Sequence, residues 1–193
     1  TLGTAAGTTS ATPPFGAAPF SAMSATTTTT ATSSTSAASP FGAGSGTSDD
    51  PYQICSLAQF LRIGNAGYNT KNFILKKDID YQGTAADSIT NFAGILDGNS
   101  YTIKNFVSDP VSPSRGLFDA TSGTISDLTL DHFSVTSNTY RFGALAGYFT
   151  GTATDITLTD ITVYSDAGES EVGGVFGITS GATLTRIHAD TVE

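Results

Sequence analysis

The chain has 193 residues, with 17 acidic and 8 basic side chains, a formal net charge of −9 at pH 7 and 38% hydrophobic residues. This balance argues against binding nucleic acid or an anionic membrane surface, since both require clustered Lys and Arg. No apolar run approaches the ~20 residues of a membrane span, so membrane insertion is not expected.

The composition breaks at residue 49. Residues 1–48 contain no Asp, Glu, Lys, Arg or His and consist largely of Thr, Ser, Ala, Gly and Pro. Such a stretch cannot bury enough apolar surface to fold alone and reads as an arm or linker. It carries a repeated small knob, Pro-Phe-Gly/Ser-Ala, at Phe15, Phe20 and Phe41. These three residues are the candidate interface anchors, docking in grooves on a neighbouring subunit; packing along the chain's own domain is the alternative. The run Thr26–Thr30 suits O-linked sugars, whereas no Asn-X-Ser/Thr acceptor occurs. A first residue of Thr rather than Met points to a processed or trimmed chain.

Residues 49–193 read as one domain. Near its start, Asp50-Pro-Tyr-Gln53 has the order of a capping box, and Ile54, Leu57, Ala58 and Leu61 follow helical spacing up to Gly64. The expectation is a capping helix near 50–63 that covers the first coil of whatever follows. The lone cysteine, Cys55, falls on that helix and reads as a small hydrophobe.

Beyond it the chain repeats. Thr124-Ile-Ser-Asp-Leu-Thr-Leu130 returns as Thr152-Ala-Thr-Asp-Ile-Thr-Leu158, and Gly143-Ala-Leu-Ala-Gly-Tyr148 as Gly173-Gly-Val-Phe-Gly-Ile178. A third copy occupies 182–193. Within each copy the apolar residues alternate, although the phase is imperfect: Leu128, Leu130, Phe133 and Val135 correspond to Ile156, Leu158, Ile161 and Val163. Period-two runs recurring every ~28–30 residues are the mark of a stacked solenoid. The predicted fold is therefore all-β: a right-handed parallel β-helix with a short N-terminal capping helix and an extended low-complexity arm. The repeat breaks off at Glu193, from which the expectation is that the chain continues or that another molecule covers this end.

Aligning the copies places Asn105, Asp127 and Asp155 together, as a side-chain ladder or weak cation position. Carboxylates ~4.8 Å apart repel unless backbone N–H groups, water or a cation satisfy them. The favoured reading is turn capping through backbone N–H groups, with Ca2+ as the ion to consider. Asp78, Asp80 and Asp97 form an acidic cluster read as a solvated, structural feature. His132 and His188 have no Ser or Cys partner in sequence that would suggest a nucleophilic triad. No catalytic, cofactor-binding or metal residue is assigned.

Asn72-Phe-Ile-Leu-Lys-Lys-Asp-Ile-Asp80, followed by Phe92-Ala-Gly-Ile-Leu-Asp-Gly-Asn-Ser-Tyr-Thr-Ile-Lys-Asn105 and Gly116-Leu-Phe-Asp119, resembles bacterial secreted or surface proteins with GLUG-type repeats. The resemblance spans about Asp50 to Glu193. It implies an adhesin-like, extracellular or cell-surface setting. Some such repeats accompany IgA-specific metallopeptidases, but no His-Glu-x-x-His is present, so that activity does not carry over. The expected function is a non-enzymatic structural or adhesive module of a bacterial cell-surface fibre. The expected partners are homo-oligomer or filament neighbours and a host or glycan receptor. The alternative is a carbohydrate-binding or carbohydrate-cleaving β-helix.

Overall fold

The computed structural model describes residues 39–108, 116–137, 141–165 and 171–193. The chain divides into two units, Thr1–Thr35 and Ser36–Glu193. Phe15 and Phe20 lie outside the described residues, as do the Thr26–Thr30 run and most of the arm.

The second unit is a parallel β-solenoid. Its elements are β1 (Tyr52–Ile54), α1 (Leu57–Phe60), β2 (Asn72–Leu75), β3 (Ile79–Asp80), β4 (Ala85–Ala86), β5 (Ile95–Asp97), β6 (Thr102–Lys104), β7 (Val107–Ser108), β8 (Phe118–Thr121), β9 (Thr124–Ser137), β10 (Arg141–Phe142), β11 (Ala146–Phe149), β12 (Thr152–Ser165), β13 (Glu171–Val172), β14 (Phe176–Thr179) and β15 (Thr183–Val192). The largest sheet stacks β1-β2-β5-β9-β12-β15, with the short strands β3, β4, β6 and β7 alongside. A second sheet stacks β8-β11-β14, and a third pairs β10 with β13. Thr124 pairs with Thr152 and Thr152 with Thr183, so one repeat is 28 residues and the next 31.

The imperfect phase of the apolar residues has a backbone cause. Ile125, Leu128, Leu130, Phe133 and Val135 are all buried, at spacings of three, two, three and two. Asp127 and His132 sit in the two wider gaps, at φ 51 and 53. A residue in the left-handed region turns the strand without closing a hairpin, and the alternation resumes on a new face. The next coil repeats the device at Asp155 and Asp160 (φ 56 and 52), and the last at Arg186 and Thr191 (φ 52 and 54).

These bends align equivalent positions into interior columns. Phe73, Leu96, Ile125 and Ala153 form one, and Ile103, Leu130 and Leu158 another. Tyr81, Phe106 and Phe133 form an aromatic column, Tyr81 edge-on to Phe106, with ring centroids 5.1 Å apart at each step. At the start of each rung Gly94, Gly123 and Gly151 occupy one corner. A Cβ at Gly151 would lie 1.9 Å from the Gly123 carbonyl oxygen, and one at Gly123 would lie 2.5 Å from that of Gly94. Only glycine lets successive backbones approach this closely.

The N-terminal cap differs from the sequence expectation. Residues 52–54 are strand, not helix: Tyr52, Gln53 and Ile54 pair with Phe73, Ile74 and Leu75. Gln53 also donates its N–H to Ala43 O and accepts from Gly42 N–H, each at 2.8 Å. The helix is a single turn, Leu57–Phe60, capped by Ser56. Ser56 and Gln59 stand at capping-box spacing, six residues beyond the Asp50–Gln53 match. Gln59 N–H donates to Ser56 Oγ at 3.4 Å, while Gln59 Oε1 accepts from Cys55 N–H at 2.7 Å. Leu61, expected on the buried face, is exposed; Phe60 and Ile63 are the buried residues here. Cys55 precedes the helix and is half-buried.

Candidate functional site

The left-handed residues do more than shape the coil. At such a bend the side chain leaves the alternation of the strand, so equivalent bends on successive rungs, ~4.8 Å apart, build outward ridges of polar groups. Two ridges run across β9, β12 and β15.

The first ridge is Asp127, Asp155 and Arg186. Ser126 pairs with Thr154 and Leu128 with Ile156, which sets Asp155 opposite Asp127 as the sequence alignment expected. By the same register Arg186 stands opposite Asp155. Its guanidinium grips Asp155 with two parallel hydrogen bonds: Nε donates to Oδ1, and Nη2 to Oδ2 at 2.6 Å. These bonds, and the positive charge behind them, hold the Asp155 carboxyl below the usual carboxylate range. Arg186 is correspondingly raised, with Asp127 adding a smaller attraction. Arg186 on the next rung thus places a positive charge beside this carboxylate pair.

Asn105 does not belong to that ridge. Lys104 pairs with Asp131, which puts Asn105 opposite His132, one bend further on. Asn105 is itself left-handed at φ 57, so the second ridge reads Asn105, His132, Asp160 and Thr191. In sequence Asn105 and Asp127 look equivalent, each an Asx residue between apolar runs. The two bends per rung make those positions distinct. Asn105 Nδ2 donates to Asp80 Oδ1 at 2.9 Å, and Gln82 N–H donates to the same oxygen at 2.7 Å. Together they lower the Asp80 carboxyl, with Lys104 assisting at 4.0 Å. Asp78 and Asp97 accept from Thr102 N–H and Asn99 N–H at 2.9 and 2.7 Å, the structural role read for this acidic cluster.

His132, which in sequence shows no Ser or Cys partner, has two carboxylates beside it in space. Its Nδ1 lies 2.7 Å from Asp131 Oδ1 and its Nε2 lies 3.5 Å from Asp160 Oδ2. The ligand atoms of Asp131, His132 and Asp160 all fall within 4.8 Å of one another. The signal was present in the sequence, since His132 and Asp160 fill the same three-residue gap in consecutive repeats. It needed the register to be read.

Phe41 lies inside its own chain. It is 4% exposed, stacked on Tyr52 at 4.6 Å and packed edge-on to Tyr68 and Phe73 at 5.1 and 5.2 Å. An aromatic ring so placed seals the top of the solenoid and is not available as an anchor for a neighbour.

The described surface also has a groove of ≈ 250 Å³ lined by Asn91, Phe92, Thr121, Ser122, Tyr148 and Thr150, beside β8 and β11. Arg141 stands 5.7 Å from the Tyr148 ring centroid. Among the described residues no helix is long and apolar enough to cross a membrane.

No family model matches the chain. Over 167 residues it is 32% identical to halomucin from Haloquadratum walsbyi, a match that takes in 76% of this chain and 2% of halomucin. Among solved structures it is similar to a Bacteroides ovatus protein described as a candidate immunoglobulin A1 protease. The TM-score is 0.60 at 20% identity, over 77% of this chain and 59% of the other. The chain thus spans a small fraction of halomucin and under two thirds of the solved chain. The structural likeness is one of fold: both contain this solenoid.

Proposed function

We propose that this chain is a structural module of a surface or extracellular assembly, a stiff β-solenoid spacer with no catalytic duty of its own. The observation that carries the reading is the match to halomucin, where a solenoid-sized similarity occupies 2% of a far longer chain, as a building module would. The name marks that relative as a mucin. A Thr/Ser-rich, Pro-containing stretch of the kind found in residues 1–48 is the composition of O-glycosylated mucin-like stalks. The resemblance to GLUG-type surface repeats agrees with this setting, and adhesion or fibre construction is the role it suggests.

Mechanically, each rung is stabilised by its neighbours, so a solenoid transmits load along its axis. The exposed charges support a structural use, being matched from rung to rung in Asp155–Arg186, Asp80–Lys104 and Arg141–Glu171. On the last rung Leu184 and Val192 are 45% and 37% exposed, whereas Ala153 and Ile161 beneath them are at 0% and 1%. Residues 1–38 are the segment we assign to neighbour contacts.

The test is light scattering on the full chain and on a chain lacking residues 1–38, a deletion that spares Phe41. Oligomers from the full chain and monomers from the shortened one support the reading. Monomers from both remove the neighbour contact, and cleavage of any glycan in a reducing-end assay overturns the non-enzymatic assignment. A second reading, carbohydrate binding, rests on the groove beside Tyr148, whose aromatic ring and neighbouring Asn91, Ser122 and Thr150 are the groups a sugar engages.

A further inference from the structure

We infer that Asp131, His132 and Asp160 form a binding site for a late first-row divalent metal ion, with Zn2+ and Cu2+ the fitting species. The argument starts from the two nitrogens of one imidazole. Nδ1 lies 2.7 Å from Asp131 Oδ1, in close contact with the carboxylate of the preceding residue. A carboxylate at that position favours the proton on Nδ1, which leaves the Nε2 lone pair free to take a metal. Nε2 faces Asp160 Oδ2 across 3.5 Å, too far for a strong charge-assisted hydrogen bond. Two ligands of a tetrahedral ion, each bonded at ~2.0–2.2 Å, stand ~3.4 Å apart. The gap is thus the edge of a coordination polyhedron with His132 Nε2 and Asp160 Oδ2 as ligands. Asp131 serves as the carboxylate behind the histidine, an arrangement that orients metal-bound imidazoles and strengthens them as donors.

The fold places the backbones of this trio side by side. His132 and Asp160 occupy equivalent left-handed bends on adjacent rungs, at φ 53 and 52, and Asp131 is the strand residue immediately before the first bend. His132 and Asp160 are 61% and 46% exposed at the side chain, so an ion reaches them from solvent. Mixed imidazole and carboxylate donors select zinc, copper and nickel over calcium or magnesium, which take oxygen alone. Two charged carboxylates balance a divalent ion. With two direct protein ligands the ion keeps open positions, which water or donor atoms of another molecule fill. The first ridge is a useful contrast: there Arg186 already neutralises Asp155, and no such gap exists.

The experiment is isothermal titration of the full chain with ZnCl2, beside His132→Ala, Asp160→Asn, Asp131→Asn and, as a control, His188→Ala. The expected result is one Zn2+ per chain, abolished in His132→Ala and Asp160→Asn, weakened about 10–100-fold in Asp131→Asn and unchanged in His188→Ala. Thermal melts of the variants without metal verify that each is folded. A 15N spectrum of the imidazoles gives a second readout: zinc shifts Nε2 of His132 and leaves His188 in place. No heat at millimolar zinc overturns the site. Binding that survives His132→Ala also overturns it and reassigns the zinc to other surface carboxylates.

Discussion

The hydroxyl of Tyr81 is buried at the top of an aromatic column and has no hydrogen-bond partner among the described residues. Burial alone raises its ionisation well above the usual phenol range. A buried, unpaired hydroxyl costs about 1–3 kcal/mol, so Tyr81→Phe is expected to raise the unfolding free energy by about 1 kcal/mol, measured by urea denaturation. Because the folded-state pKa is raised, this phenol contributes stability that is complete below its unfolded value near 10 and lost as pH rises beyond it. The wild type should therefore weaken above pH 10 more steeply than the Phe variant. Asp155 has the opposite sign. Its carboxyl is lowered by Arg186, so its contribution is present above the ordinary value of 3.8 and disappears as pH falls through the folded value. In thermal melts between pH 5 and 2, Asp155→Asn is expected to show a shallower acid loss than the wild type. An unchanged acid limb would mean that the ion pair with Arg186 is not held in solution.

At the scale of the element, the rung is defined by its two bends and its glycine corner. Gly151→Ala places a methyl group 1.9 Å from the Gly123 carbonyl, backbone against backbone, with no flexible side chain to yield. The expected loss is about 3 kcal/mol, read from the denaturation midpoint, with β12 separating from β9. Gly83→Ala is the informative comparison. It has open space around its Cβ but φ 68, so only the smaller left-handed cost of about 1–2 kcal/mol applies. Much of the rung was legible in the sequence, because Leu128, Leu130, Phe133 and Val135 announce their inward positions by alternation. The identity of the bends was not. A three-residue gap between apolar positions shows where the phase slips, but which gap aligns with which depends on pairing, and Asn105 was set against the wrong one. The first turn of α1 was misplaced for a related reason. Asp50–Gln53 has local capping chemistry, yet both backbone groups of Gln53 are taken by Gly42 and Ala43, and β1 joins the sheet.

For the whole molecule, the N-terminal end of the solenoid is sealed by Phe41, which packs against Tyr52, Tyr68 and Phe73. Phe41→Ala is expected to cost about 3–5 kcal/mol, and removal of residues 1–48 should destabilise the domain to a similar degree, whereas removal of residues 1–38 should leave its melting unchanged. Differential scanning calorimetry on these three chains separates a structural cap from a dispensable tether. The sequence by itself determined the class of fold, since inward apolar residues recurring at a near-constant interval can bury their faces only against their own copies. It also showed where charge stops and the Thr/Ser-rich segment begins. Tertiary structure alone decided which polar residues meet. Ridge partners lie about 28–31 residues apart in sequence and one strand spacing apart in space. Their pairing as Asp155 with Arg186, or His132 with Asp160, follows from backbone register, which side-chain composition does not encode locally.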